Sequence, residues 1–197
     1  RAKILKLNDD AVGPVKFKKS ELHGNEIVEE LTEMSINSYG KNSNWTFNTK
    51  DRKDIIDTVW TFLRYNDGQF DPRLRDIHFP EPHFDIPIEE DWAKFEYEHN
   101  GKKIQGQLAI KGTIDLVTLV NKDTIEAVDW KTGRRIDWVT GEVKDYKKLE
   151  NDPQLLLYYY AISKLYPEFP NRIMSIFFYK DEEGKPDPTP FSMCFSP

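Results

Sequence analysis

The segment Thr124–Lys131 constrains this chain more than any other. An apolar lead-in of Ile125, Ala127 and Val128 runs directly into Asp129-Trp130-Lys131. Such a lead-in reads as a strand buried inside a sheet. Side chains two apart on a strand share a face, so Asp129 and Lys131 project together while Val128 and Trp130 face the other way. A charged pair at the end of a buried strand is costly unless something pairs with it. A divalent cation bridging Asp129 and Asp115, the latter in Gly112-Thr113-Ile114-Asp115, would resolve that cost. An ordinary Asp–Lys pair exposed at the strand end is the bland alternative.

The elements around this strand follow from periodicity. From Ser20 to Asn37 the apolar positions Leu22, Ile27, Val28, Leu31 and Met34 recur at helical steps, and Ser38–Thr49 is polar. Asp51–Tyr65 is a second amphipathic helix, closed by Asn66-Asp67-Gly68, and Asp71–Pro82 with its prolines reads as loop. Strands are expected at Phe84–Ile86, Lys94–His99, Ile104–Ile110 and Gly112–Val120, with Asn100-Gly101 as a two-residue hairpin turn. Thr132–Asp152 reads as a long polar loop or lid. Asp152-Pro153 opens a third helix running to about Tyr166, and strands Arg172–Lys180 and Pro190–Phe195 close the chain. The expected fold class is α/β, a central mixed β-sheet flanked by helices. One domain over 1–197 is expected, with a helical part at 1–70 and a sheet core at 81–197.

Composition narrows the function classes. The 197 residues carry 28 Lys+Arg against 34 Asp+Glu, a net charge of −6, which argues against a blanket nucleic-acid coat. No apolar run approaches the ~18 residues of a membrane span. The single cysteine, Cys194, excludes an internal disulfide and a multi-cysteine metal or iron–sulfur site. It fits an intracellular, reducing compartment, and in an apolar strand it reads as a buried small hydrophobe. The chain begins at Arg1 rather than Met, which a processed product, an excised domain or a trimmed chain would each explain.

Downstream of the Asp-x-Lys, Gln154 and Tyr158 stand four apart and share one face of the third helix. Asp115 after a glycine, Asp129-x-Lys131-Thr132-Gly133 and Gln154-x-x-x-Tyr158 together resemble the three motifs of the RecB-like branch of the PD-(D/E)XK nuclease superfamily. That branch includes phage recombination exonucleases and the mitochondrial genome-maintenance exonuclease. The resemblance covers about residues 81–166. It implies a restriction-endonuclease-like core and metal-dependent hydrolysis of DNA by a metal-activated water, with Mg²⁺ or Mn²⁺ as cofactor. It implies Asp115 and Asp129 as metal ligands together with the Trp130 carbonyl, a catalytic Lys131, and Gln154 and Tyr158 as the helix motif. The family's upstream acid falls on Glu81 and its early-helix histidine on His23, although the usual Gly-x-x-His pattern is absent. Some relatives carry a four-cysteine cluster, which one cysteine excludes here.

The stretch after Lys131 carries Arg134, Arg135, Lys144, Lys147 and Lys148 interleaved with Trp138 and Tyr146. Cations for phosphates and rings for bases suit single-stranded nucleic acid, whereas a solvated loop with tucked aromatics is the ordinary alternative. The expected activity is that of a DNA exonuclease acting on an end or a single strand in recombination or repair. The competing reading is a catalytically inactive DNA-binding or partner-docking domain of a larger replication or recombination protein. An endonuclease acting on RNA or on nucleic-acid structure shares the same core.

Overall fold

The structure, a computed structural model, describes residues 24–195. Two helices come first, α1 (Glu26–Ser43) and α2 (Thr49–Arg64). Seven strands follow: β1 (Asp76–Pro80), β2 (His83–Pro87), β3 (Lys94–His99), β4 (Lys102–Gln107), β5 (Ala109–Thr113), β6 (Leu116–Asn121) and β7 (Thr124–Arg134). Helices α3 (Tyr146–Leu149) and α4 (Pro153–Leu165) precede β8 (Asn171–Lys180) and β9 (Pro186–Cys194). The fold is α/β, with a central mixed sheet ordered β1-β6-β7-β8-β9 and flanked by helices, and with β2–β5 and β3–β4 as separate two-stranded pairs.

Among the described residues, one compact unit comprises those up to Ile77 together with Thr132–Arg134 and Phe178–Thr189. Within it, Ile27, Val28 and Trp60 are buried, and Leu31, Ile56, Val59 and Leu63 pack on them, so the apolar stripes of α1 and α2 face each other. The Trp60 indole donates to Glu29 (3.2 Å), and the Arg64 guanidinium lies 4.2 Å from the Trp60 ring centroid. The start of α2 is fixed by reciprocal hydrogen bonds. The Asp51 amide donates to Asn48 Oδ1 (3.0 Å) and the Asn48 amide to Asp51 Oδ2 (3.1 Å).

The second unit comprises His78–Lys131, Arg135–Phe177 and the residues from Pro190 onward. Ile114, Val117, Ile125, Val128, Leu155, Ile162, Met174 and Phe177 are all but inaccessible, so β6, β7, β8 and the inner face of α4 share one core. The Asp152 carboxylate caps α4 by accepting from the Gln154 amide (2.9 Å), and Pro153 occupies the first turn, where its missing N–H costs nothing.

Four expectations are corrected. Helix α1, expected to Asn37, continues through the first part of the polar stretch to Ser43, where Ser35 and Ser43 bond back to carbonyls four residues earlier (2.8 and 2.7 Å). Asp76–Pro80, read as loop on account of its prolines, is the edge strand of the five-stranded sheet, a place that tolerates Pro80. The Gly112–Val120 strand is broken into β5 and β6 around Ile114-Asp115, and opposite the break Glu81 adopts a left-handed φ of 43°. Cys194, expected inside, is exposed. The Asn48→Ala variant is expected to lose about 1 kcal/mol of stability in urea unfolding, the worth of a helix cap; an unchanged midpoint would contradict the capping box.

Candidate active site

The pairing of β6 with β7 runs as far as Leu116 with Val128, and Asp115 and Asp129 are the next residues along each segment. The charge of Asp115 is felt at Asp129, so the two carboxylates are neighbours at this end of the strand pair. Asp115 Oδ2 accepts from the Trp130 amide (2.8 Å), which ties its side chain to the neighbouring strand. The Asp115 carbonyl accepts from the Glu81 amide (2.9 Å), and the Ile114 amide donates to the Pro82 carbonyl (3.2 Å). The break between β5 and β6 is thus held by main-chain bonds while the Asp115 side chain turns to β7.

Asp129 is 3% exposed. Its Oδ1 accepts from Gln154 Nε2 (3.1 Å), and its Oδ2 lies 2.7 Å from Lys131 Nζ. Among the described residues no donor meets that buried Oδ2 in full hydrogen-bond geometry, and the Lys131 ammonium is its close charged neighbour. Burial pushes the Asp129 carboxyl above the usual range; Lys131 pulls it down, and the charges of Asp115 and Asp152 push in the same direction as burial. A crowded carboxylate with a spare lone pair, opposite a second carboxylate, is a donor set for a hard oxygen-seeking cation. Asp115, Asp129 and the nearby main-chain carbonyls could hold a Mg²⁺ that keeps several waters, whereas the described residues contain no group of three or more His, Cys, Asp or Glu placed to bind a metal.

A relay of side chains orients Asp129. Gln154 Nε2 also donates to Tyr158 Oη (2.9 Å), and Tyr158 Oη donates to the Thr113 carbonyl (2.9 Å). Burial raises the Tyr158 hydroxyl above its ordinary pKa, so it stays a donor. Phe84 meets the Tyr158 ring edge-on (centroids 6.3 Å apart, planes at 88°). The Phe84 ring in turn lies on Gly112, where a Cβ would come 2.5 Å from Phe84 Cζ. Here the glycine of Gly112-x-x-Asp115 has a packing reason: it lets β2 press an aromatic ring against the β5 backbone beneath Tyr158.

Asp115, Asp129, Lys131, Gln154 and Tyr158 are therefore brought together. Glu81 enters through its main chain beside Asp115, with its side chain exposed. His23 lies outside the described residues. The stretch expected as a loop after Lys131 is partly ordered: β7 runs on through Arg134, Ile136 pairs with Val143, and α3 covers Tyr146–Leu149. The Val139 and Thr140 amides donate to Asp137 (2.9 Å each) and hold its carboxyl below the usual range, which fixes a tip where Trp138 is 72% and Val139 95% exposed. Lys144 pairs with Asp152 (2.5 Å), Lys148 pairs with Glu142, and Tyr146 stacks edge-on with Phe191 (4.8 Å). The Arg135 guanidinium lies 5.8 Å from the Phe191 ring centroid. Cations and rings read as open to a ligand thus also have partners in the chain, and Asp152, read only as a helix start, also anchors Lys144.

A family model described as the PD-(D/E)XK nuclease superfamily matches residues 20–192, and the chain belongs to that superfamily. Neither the curated proteins nor the solved structures give a significant match. No helix among the described residues is long and apolar enough to cross a membrane.

The Gly112→Ala variant is expected to displace the Phe84 ring and loosen Tyr158, costing about 1–3 kcal/mol by overpacking. Thermal unfolding together with the Tyr158 environment in near-UV circular dichroism checks this, and a variant as stable as the parent would contradict the packing argument.

Proposed function

We propose that this member of a nuclease superfamily is a divalent-metal-dependent deoxyribonuclease of the RecB-like branch, an exonuclease working on a DNA end or single strand. The observation that carries the reading is the meeting of three groups just past the Leu116–Val128 pair: Asp115 held by the Trp130 amide, Asp129 within reach of its charge, and the Lys131 ammonium 2.7 Å from Asp129 Oδ2. A buried carboxylate, Asp129, beside the half-buried Asp115 feels its repulsion, and a site without a cation would gain nothing from keeping both. Asp115, Asp129 and the Trp130 carbonyl are the ligands of Mg²⁺ or Mn²⁺, and Glu81 and His23 are candidates to complete the shell. When bound, the metal supplies neutralisation of phosphate charge and a water of lowered pKa.

The chain's own residues do the rest. Lys131 orients the attacking water and stabilises negative charge on the phosphoryl oxygens. Gln154 keeps Asp129 Oδ1 engaged, so that Oδ2 faces the reacting centre, and Tyr158 locks Gln154 against the Thr113 carbonyl. Arg134, Arg135, Lys144 and Lys147 with Trp138 and Tyr146 form the approach for the strand: phosphates on cations, bases on rings. A place in DNA recombination or repair, inside the cell and within a larger polypeptide or complex, fits such an enzyme.

Lys131→Ala and Asp129→Ala are expected to cut metal-dependent degradation of end-labelled DNA by ~10²-fold or more. Activity equal to the parent would remove the role assigned to either residue. Arg134→Ala with Lys147→Ala should flatten the salt dependence of DNA binding by about one unit of log–log slope per lost phosphate contact; an unchanged slope would take that segment off the DNA path.

The raised Asp129 carboxyl has a defined sign. The unfolded chain releases this proton near pH 3.9, whereas the folded protein holds it to higher pH. Folding stability from this group is therefore full at low pH and lost as pH rises through the folded value. In urea unfolding, Asp129→Asn should gain on the parent as pH rises from about 4 toward neutrality, and added Mg²⁺ should stabilise the parent alone. A stability gap that does not change with pH would contradict the electrostatics described.

A further inference from the structure

The hairpin of β3 and β4 stands as a two-stranded sheet of its own, and all its strand residues except Ile104 are exposed. Its register sorts the side chains. Phe95 faces Gly106, Tyr97 faces Ile104 and His99 faces Lys102 on one side; Lys94, Glu96, Glu98, Lys103, Gln105 and Gln107 occupy the other. Both carboxylates fall on the second side, where Glu96 pairs with Lys103 (2.9 Å). The first side carries rings, one aliphatic residue, an imidazole and an ammonium, with no acid. That segregation is notable in a chain of net charge −6.

The rings are arranged for contact with a flat ligand. The Phe95 and Tyr97 centroids are 6.1 Å apart, with planes inclined by 34°. Phe95 is 38% and Tyr97 54% exposed. The Phe95 ring lies on the backbone of Gly106: a Cβ there would come 2.5 Å from Cζ and 3.1 Å from both Cε atoms. The end of the ring is therefore supported by the strand, and more than a third of the residue is open to solvent. A free two-stranded hairpin has little stability of its own, so an apolar face left in water on one points to a ligand.

The hairpin is continuous with the site. The Leu108 amide donates to the Ala93 carbonyl (2.8 Å) and the Ile88 amide to the Leu108 carbonyl (2.9 Å), which joins it to β2 and β5. Asp115 stands nine residues beyond Gly106 on the same run of chain, at most about 30 Å away at ~3.3 Å per residue.

We propose that the Phe95–Tyr97 face of this hairpin is a binding site for single-stranded DNA, where successive bases stack on the two rings and Lys102 meets a phosphate, upstream of the bond that is cut. The proposal rests on the deoxyribonuclease reading for the identity of the strand. Aromatic platforms with neighbouring cations bind single strands without sequence preference, because every base has a π-face. Substrate length separates the two contacts: a strand of several nucleotides carries further bases to stack on the rings, and a mononucleoside ester carries none beyond the base at its own phosphate.

The experiment compares the parent with Phe95→Ala/Tyr97→Ala and with Tyr97→Trp. Binding to a labelled oligothymidylate of roughly 20 nucleotides is read by fluorescence anisotropy in Ca²⁺, and hydrolysis of that strand and of the p-nitrophenyl ester of thymidine 5′-phosphate is read in Mg²⁺ or Mn²⁺. The double alanine variant should bind the strand about tenfold or more weakly. It should show a matching rise in KM on the strand and the parent's rate on the ester. Tyr97→Trp should keep parental affinity, and its added indole fluorescence should be quenched by the strand. An affinity within twofold of the parent's would overturn the proposal, as would an equal loss on strand and ester. Loss of a concentration-dependent dimer in sedimentation, with DNA affinity unchanged, would assign the face to a second copy of the chain instead. Should no metal support turnover of either substrate by the parent, the deoxyribonuclease reading fails, while the anisotropy comparison still decides the hairpin. Matching thermal midpoints exclude misfolding as the cause.

Discussion

Two like charges held face to face organise the site-bearing part of this molecule. Antiparallel pairing of β6 with β7 brings Asp115 and Asp129 to one end of a strand pair in which Leu116–Thr118 and Thr124–Asp129 are buried. Such a pair is unfavourable alone, and its neighbours act to contain it. Lys131 supplies the opposite charge, the Trp130 amide ties down one carboxylate, and Gln154 ties down the other. Each of these depends on a further contact: Gln154 on Tyr158, Tyr158 on the Thr113 carbonyl and on Phe84, and Phe84 on the space left by Gly112. The strand break at Ile114-Asp115 is part of the same arrangement.

The electrostatics of Asp129 connect structure to proposed chemistry. Burial and the charges of Asp115 and Asp152 oppose its ionisation, while Lys131 favours it. The balance leaves a carboxylate that is costly to hold in the folded protein and receptive to a divalent cation. Electrostatic strain of this kind is what the metal-dependent reading proposed above draws on, because both carboxylates are held in place by contacts within the chain. Membership of the PD-(D/E)XK nuclease superfamily agrees with that layout.

Much of the sheet was legible in the sequence because its signals are local. The apolar lead-in to Asp129, the Asn100-Gly101 turn and the Asp152-Pro153 helix start each depend on adjacent residues, and each lies where expected. Two-residue and four-residue steps set the shared faces of Asp129 with Lys131 and of Gln154 with Tyr158, and the convergence of those pairs with Asp115 was legible through the resemblance to the three family motifs. What the sequence hid was non-local. Nothing near Pro80 says that an edge strand will accept it, and nothing near Lys144 or Tyr146 says that Asp152 and Phe191 will engage them. The aromatic side of the β3–β4 hairpin was hidden for the same reason: register across the turn, not periodicity along one strand, separates its rings from its acids.

The most direct measurement is anomalous diffraction from crystals grown with Mn²⁺. The account predicts an anomalous peak bridging the carboxylates of Asp115 and Asp129, within ~2.0–2.2 Å of an oxygen of each as for other small hard dications, and no peak there in Asp129→Asn crystals. Manganese bound elsewhere, with those two carboxylates left to Lys131 and the Trp130 amide alone, would contradict it.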